Sequence, residues 1–153
     1  MSTKSYFDAL DHKALASEFP IQDFLKTYKG MSRDELRSQQ EARFAKLMSA
    51  AWKVPFYQRH WGDTGVEPGD ISGLDDLSKL PTYSKSDLMR SVEEHPPLGD
   101  FHGMNAGGPG QGLPLIFHTT SGTTGKPQPL LWGPKSREVQ NILLARIYHL
   151  QGL

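Results

Sequence analysis

Residues 115–132 read LIFHTTSGTTGKPQPLLW, in which a hydroxyl-rich run separates two short apolar runs. The apolar runs, 115–117 and 129–132, predict a buried strand and a second strand that its prolines confine to an edge or a strand start. Between them, residues 120–126 hold four hydroxyl side chains, two glycines and one lysine. Glycine lets backbone N–H groups approach phosphate oxygens, hydroxyls donate hydrogen bonds, and lysine adds positive charge. The stretch therefore predicts a polyphosphate-binding loop between two strands.

Spacing disfavours other functions for this loop. A Walker A loop needs a hydroxyl directly after its lysine, whereas Lys126 is followed by Pro127. Ser121 lacks the G-x-S-x-G context of a hydrolase nucleophile. His118 lies beside the loop, and the commoner interpretation of such a residue is a strand end rather than a substrate contact. A functionless Ser/Thr/Gly-rich turn is the remaining alternative, and the order of residue types disfavours it.

Helical patterns lie on both sides of the loop. Ser32 and Glu35 predict a capping box at the start of a helix over 32–53, which Pro55 ends. The other predictions are two short helices over 1–30, a turn-rich stretch over 55–81 with a short helix over 72–79, a helix capped by Ser84 with Asp87 in its first turn, a glycine-rich loop over 95–114, and an amphipathic helix from Ser136 to Leu150. Expected to face inward are Leu74, Leu77 and Leu80.

Composition limits the function classes. The 153 residues include 17 Lys plus Arg and 17 Asp plus Glu, without the basic excess typical of a nucleic-acid-binding protein. Cysteine is absent, which excludes disulfides and thiolate metal sites and fits a cytoplasmic chain. No stretch reaches the roughly 20 apolar residues that span a bilayer, and the N-terminus is unlike a signal peptide. The cluster of Glu93, Glu94, His95 and His102 lacks metal-ligand spacing, so no metal site is predicted.

The run Thr120–Pro127 resembles the phosphate-binding motif of the adenylate-forming superfamily, which includes acyl-CoA synthetases, luciferases and peptide-synthetase adenylation domains. It matches the superfamily pattern Thr/Ser-Ser-Gly-Thr-Thr-Gly-x-Pro without a gap. A second stretch is similar to the N-terminal region of phenylacetate-CoA ligases. Its matching segments are Val54–Tyr57, Gly65–Val66, Asp70–Ile71, Leu74–Leu77, Leu80–Pro81 and Lys85–Leu88. Residues 1–31 have no such resemblance.

The resemblance implies an α/β fold, in which N-terminal helices lead into the first strands of the large mixed sheet of the adenylate-forming domain. Residues 1–31 would be an N-terminal extension, and residues 32–153 a truncated N-terminal part of that domain. The implied reaction has two steps. A carboxylate, such as the aromatic acid phenylacetate, reacts with Mg²⁺-ATP to give an acyl-adenylate and pyrophosphate, and coenzyme A then takes up the acyl group as a thioester.

The resemblance also assigns roles to residues. Those expected to cradle the β- and γ-phosphates of ATP are Thr120, Ser121, Gly122, Thr123, Thr124, Gly125 and Lys126. The superfamily's acyl pocket, adenine contacts, Mg²⁺-binding acid and catalytic lysine would lie beyond Leu153, so no catalytic residue is assigned. The 153 residues alone are therefore expected to be inactive, as a part of a longer acid–thiol ligase.

Two other hypotheses stay open from the sequence. The chain could be a non-catalytic nucleotide-binding module, or one that needs a separate chain to complete the fold, with the apolar helix from Ser136 to Leu150 as its interface. It could also be a degraded gene product. The particular carboxylate is not specified by the sequence. Relatives in this group are often dimeric, so a homodimer is a further expectation.

Overall fold

The structure, a computed structural model, describes residues 5–20, 24–104, 112–121 and 125–153. Its α-helices are α1 (His12–Glu18), α2 (Phe24–Lys29), α3 (Arg33–Ala51), α4 (Pro55–Gly62), α5 (Lys85–Glu94) and α6 (Pro134–Leu150). Short 3₁₀ helices cover Phe7–Ala9 and Leu74–Lys79, and strands β1 (Ile116–Thr119) and β2 (Pro129–Trp132) form a two-stranded sheet. The mixed α/β fold class is confirmed. Most of the glycine-rich stretch predicted over 95–114, residues 105–111, lies outside the described residues.

Helix α3 begins where the sequence predicts. The Ser32 hydroxyl accepts a hydrogen bond from the Glu35 amide (3.2 Å), and the Glu35 carboxylate accepts one from the Ser32 amide (2.8 Å). The prediction that Pro55 ends this helix and opens a turn-rich stretch is wrong. Helix α3 ends at Ala51, and Pro55 is the first residue of α4. Proline fits this position because the first helical residue needs no backbone N–H donor.

Helix α5 also starts at its predicted cap. The Ser84 hydroxyl accepts from the Asp87 amide (3.4 Å), and the Asp87 carboxylate accepts from the Ser84 amide (2.8 Å). One turn further on, Leu88 is buried together with Val54 and Phe56 in the smaller of two apolar clusters. The cap therefore orients α5 so that its apolar face reaches α4.

The larger apolar cluster joins α3 and α4 to the chain that follows them. Its buried members are Phe44, Met48, Trp61 and Ile71. Leu74 and Leu80 pack against this cluster, but Leu77 is 52% exposed, so the prediction that Leu77 faces inward is wrong. Leu77 lies at the wall of an open apolar cavity, where neighbouring atoms cover only part of its side chain.

The chain folds as two compact units. The central unit comprises residues 32–111 and 119–130, and the terminal unit comprises residues 1–31, 112–118 and 131–153. The central unit contains both apolar clusters. The division expected from the sequence, into an extension over 1–31 and a domain over 32–153, stays a prediction.

In the terminal unit, N-terminal residues contact helix α6. The Arg146 guanidinium is 8% exposed; it donates to the Pro20 carbonyl (2.7 Å) and lies 4.9 Å from the centre of the Phe24 ring. An ion pair joins Lys135 to Glu18 at 2.6 Å. The N-terminal residues, for which the sequence offers no resemblance, are therefore a packing partner of α6.

The strand β1 is less covered than the sequence predicts. Phe117 is 56% exposed and Leu115, just before the strand, is 43% exposed. The prediction of a buried strand is therefore wrong for the part of the chain that the structure describes. A sheet of two strands offers each strand one neighbour, and burial of a sheet face requires a further packed layer.

Helix α6 begins two residues before the predicted Ser136, with Gly133 as its N-cap and Pro134 as its first residue. Its apolar stripe is largely exposed: Leu143 is 46%, Ile147 49% and Leu150 57% exposed. Among the described residues, no helix is both long enough and apolar enough to cross a membrane.

Candidate functional site

The loop after β1 is closed at its base by Thr120. The Thr120 amide donates to the Gln128 carbonyl (3.1 Å), and the Thr120 hydroxyl oxygen accepts from the Gln128 amide (3.0 Å). The hydroxyl oxygen therefore holds the two ends of the loop together, and its proton has no acceptor among the described residues. Ser121, the next residue, is exposed, and no described residue hydrogen-bonds to its side chain.

Four of the seven predicted phosphate ligands are described by the structure, and Gly122, Thr123 and Thr124 lie outside the described residues. Gly125 has φ +143°, and no atom of the described residues lies within 4 Å of the point where a Cβ would be. Its backbone is therefore open to close approach. The Lys126 side chain is 78% exposed, and its Nζ lies 3.4 Å from Glu93 Oε1.

Helix α5 lies beside the C-terminal end of the loop. An open depression of about 340 Å³ separates them, lined by Lys85, Ser86, Met89, Glu93, Gly125 and Lys126. The charge of its lining comes from two lysines and one glutamate. The sequence did not predict Lys85 or Glu93 as site residues, because both lie on helix α5, which is distant from the loop in sequence and reaches it only in the folded chain.

A buried carboxylate ties α4 and α5 to the chain after α5. Asp100 is 3% exposed and accepts two hydrogen bonds from Arg59, at 2.7 and 3.1 Å. The Ser91 hydroxyl donates to the same carboxylate at 2.7 Å, and the Asp100 amide donates back to Ser91 Oγ at 3.0 Å. Burial of the Asp100 carboxyl works against its ionisation, but the Arg59 and Ser91 hydrogen bonds outweigh burial and lower its pKa. The carboxylate is therefore ionised at neutral pH.

The turn that presents Asp100 depends on Gly99. This glycine has φ +82°, and a Cβ at this position would lie 2.8 Å from the Phe101 ring and 2.9 Å from Ser91 Oγ. Only glycine fits both the backbone conformation and the space. No local pattern points to the Arg59–Asp100 pair, because the two residues are 41 positions apart.

A second cavity of the central unit is apolar. It has a volume of about 440 Å³ and is lined mainly by aromatic and aliphatic side chains of α3, α4 and the following turns. Trp61 forms part of its wall and packs edge-to-face with Trp52, with ring centres 5.0 Å apart. Trp61 is a buried member of the larger apolar cluster, and the partly buried Trp52 packs against that cluster. On β1, His118 is half-buried, and its Nε2 has no hydrogen-bond partner in the described chain.

The described residues contain no group of three or more His, Asp or Glu side chains placed to hold a metal ion. The four carboxyl and imidazole residues weighed from the sequence, Glu93, Glu94, His95 and His102, therefore do not form such a group. Instead, Glu93 pairs with Lys126, and His95 Nε2 lies 3.6 Å from Asp100 Oδ2.

Sequence comparison finds phenylacetate-coenzyme A ligases. The chain is 37% identical over 98 residues to the enzyme of Thermus thermophilus, covering 63% of this chain and 20% of that enzyme. It is 32% identical over 122 residues to the enzyme of Aromatoleum evansii, covering 79% of this chain and 26% of that enzyme. The chain thus spans about a fifth to a quarter of the length of these relatives. No protein-family profile matches it.

Structural comparison finds a CoA ligase. A 2-hydroxyisobutyryl-CoA ligase in complex with 2-HIB-AMP and CoA has a TM-score of 0.56 at 32% identity, over 69% of this chain and 21% of that one. A second structure of that ligase, bound to R3-HIB-AMP, has a TM-score of 0.66 at 27% identity, over 80% of this chain and 24% of that one.

In both sequence and fold, the chain is therefore similar to a part of known CoA ligases. Within that class its sequence is similar to a part of the phenylacetate-CoA ligases, which confirms the resemblance found from the residues.

Proposed function

We propose that the chain supplies the polyphosphate-binding part of an ATP-dependent acid–thiol ligase that activates a carboxylate, such as phenylacetate, as its adenylate and transfers the acyl group to coenzyme A. The carrying observation is the Thr120–Pro127 motif between β1 and β2, with Thr120 and Gln128 hydrogen-bonded at its base, in a chain similar to phenylacetate-CoA ligases. The complexes of 2-hydroxyisobutyryl-CoA ligase with an acyl-AMP and CoA support the same two-step chemistry.

In this proposal the carboxylate oxygen attacks the α-phosphorus of ATP, the bond to the β-phosphate oxygen breaks, and pyrophosphate leaves with the electron pair. Proposed to bind the β- and γ-phosphates are Thr120, Ser121, Gly122, Thr123, Thr124, Gly125 and Lys126. Preorganised N–H and O–H donors and the lysine would offset the charge that grows on the leaving pyrophosphate. The thiol of coenzyme A then displaces AMP from the acyl carbon.

Thr120 has a distinct place in this proposal. Because its oxygen accepts from Gln128 while its proton stays available, it would join the strand ends and the phosphate through one hydroxyl. Lys126 would exchange its partner Glu93 for phosphate oxygens. The described residues do not form a carboxylate cluster for Mg²⁺, so no step is assigned to the metal.

The proposal includes a cytoplasmic location, small-molecule substrates and no nucleic-acid partner, in keeping with the absence of cysteine and the equal numbers of acidic and basic residues. A homodimer and the division into an extension over 1–31 and a domain over 32–153 belong to it as expectations. The chain alone is expected to be inactive, because it spans only 20% to 26% of the relatives' length.

The test is a chimera of the Thermus thermophilus phenylacetate-coenzyme A ligase, in which this chain's residues replace the stretch they match. We expect the chimera to catalyse phenylacetate-dependent exchange of labelled pyrophosphate into ATP. Lys126→Ala should lower the exchange rate by about 100-fold, the size expected when one transition-state contact is lost. The matched control is Lys46→Ala, an exposed lysine of α3. A folded chimera without exchange, or equal rates for the two variants, would contradict the proposal.

A second candidate function is a module that needs a partner chain to complete its fold. The observation in its favour is the exposed apolar stripe of α6, in which Leu143, Ile147 and Leu150 are each 46–57% exposed. A stripe of this kind is expected to be covered by another packed layer. Sedimentation of the 153-residue chain from its source cells would distinguish the two, since the partner-dependent module predicts a stable complex with a second, different polypeptide.

A further inference from the structure

The segment Lys85–Leu88 matches phenylacetate-CoA ligases, yet the proposed function gives it no role. In the structure it is the first turn of α5, and Lys85 and Ser86 line the depression whose other side is Gly125 and Lys126. All of these residues lie in the central unit. Helix α5 is therefore the wall that faces the end of the candidate phosphate loop.

The charges of this depression are arranged unevenly. Lys126 is paired with Glu93 at 3.4 Å, whereas Lys85 is exposed and has no ion-pair partner among the described residues. At the N-terminus of α5, the capping side chains already pair with the amides of Ser84 and Asp87. The side chain of Lys85 is thus the group that α5 offers to a ligand.

We propose that this depression is a polyphosphate subsite in which Lys85 is a second binding cation and Glu93 is the counter-ion of Lys126 in the empty state. The inference rests on the proposed function and adds two residues to it. A polyphosphate has several negative charges, and a single lysine neutralises one of them. The volume of about 340 Å³ lies within the range of small-molecule sites, about 300–1,000 Å³.

The Lys126–Glu93 ion pair is weak enough to break when a ligand binds. Its side chains are 78% and 64% exposed, and exposed ion pairs of this kind contribute little to stability. Lys126 can therefore leave Glu93 for a phosphate oxygen at small cost. Glu93 remains in the lining of the depression and repels a bound anion, so its charge lowers the affinity for polyphosphate.

The test is isothermal titration of the 153-residue chain with sodium tripolyphosphate at low ionic strength. Lys85→Ala should weaken binding about fivefold, the size expected for one solvent-screened charge contact. Glu93→Gln should tighten binding about two- to fivefold, because it removes a repulsive charge and the competing partner of Lys126. Both differences should shrink as salt is raised to about 0.5 M. Lys46→Ala is the control lysine, and circular dichroism confirms that each variant is folded.

The outcomes separate this inference from the function on which it rests. If Lys126→Ala weakens binding while Lys85→Ala matches Lys46→Ala, the loop binds phosphate and the α5 subsite is wrong. If Glu93→Gln leaves affinity unchanged or weakens it, the counter-ion role is wrong. If the folded wild-type chain does not bind tripolyphosphate at millimolar concentration, both the subsite and the phosphate-binding role of the loop in this chain are wrong.

Discussion

The solvent exposure of apolar side chains differs between the stretch from α3 to Phe101 and the stretch from β1 to α6. In the first, Phe44, Met48 and Trp61 are each at most 8% exposed. In the second, none of the large apolar side chains that the structure describes is fully buried, and six are about half exposed: Phe117 56%, Leu143 46%, Leu144 45%, Ile147 49%, Tyr148 48% and Leu150 57%. The first stretch thus contains a buried core, with Leu47 and Leu77 exposed at its surface, whereas the second buries none of its large apolar side chains among the described residues.

The residues proposed to bind phosphate lie in the second stretch, whose large apolar side chains are more exposed. The loop residues Thr120 to Lys126 join β1 to β2, and in the described part of the chain these two strands pair only with each other. From the first stretch, Glu93 of α5 pairs with Lys126 of the loop, and α5 itself is held by Leu88 and by the Ser91–Asp100 hydrogen bond. Stability and the proposed function are therefore separable by mutation.

The largest expected effect is on the core of the first stretch. Phe56→Ala removes a ring that is 4% exposed and stacks or packs edge-to-face with its aromatic neighbours, so unfolding free energy should fall by about 3–5 kcal/mol. Phe117→Ala removes the same ring from a site that is 56% exposed and should cost less than about 1 kcal/mol. Urea unfolding of the two variants measures the difference. Equal losses of unfolding free energy in the two variants would contradict the difference in burial between the two stretches.

Helix starts could be predicted because their causes are local. Ser32 with Glu35, and Ser84 with Asp87, each form reciprocal hydrogen bonds across three positions, and both were confirmed. The prediction for Pro55 was wrong because proline is common both after the end of a helix and at the first position of a helix. Its role depended on where α3 stopped, four residues upstream at Ala51.

The sequence could suggest residues of the candidate site only where they are consecutive. The motif from Thr120 to Lys126 could be found from the order of residue types alone. Glu93 and Asp100 could not, because their partners lie 33 and 41 positions away and only the fold brings them together. Burial of β1 was overestimated for a related reason, since a strand's apolar pattern does not say whether a covering layer is present.

An intermediate effect is expected at Asp100, which joins the two halves of the first stretch. Asp100→Asn should lower the unfolding free energy at neutral pH by about 1–3 kcal/mol, because hydrogen bonds from Arg59 and Ser91 to a charged group are weakened. The loss is moderated by Arg59, whose side chain is 43% exposed and so remains hydrated. Chemical unfolding at about pH 7 measures it.

Asp100→Asn should also reduce the loss of unfolding free energy that occurs as pH is lowered. The pKa of Asp100 is lower in the folded chain than its ordinary 3.8, so the folded state favours the ionised carboxyl. Its contribution is complete above that ordinary value and disappears as pH falls through the lower, folded value. Between about pH 7 and pH 2 the wild type should therefore lose more stability than Asp100→Asn. Parallel curves would mean that this carboxyl has no pKa difference between the folded and unfolded chains.

The smallest effect is expected on the apolar stripe of α6. The double variant Leu143→Gln, Ile147→Gln should change the unfolding free energy by less than about 0.5 kcal/mol, because both side chains are nearly half exposed and glutamine keeps good helix propensity. Urea unfolding at two protein concentrations is the measurement. A loss that is larger than about 1 kcal/mol and grows with concentration would mean that copies of the chain cover this stripe for one another in solution. An unchanged midpoint at both concentrations, together with higher solubility, would mean that the stripe is free in the isolated chain and open to another packing layer.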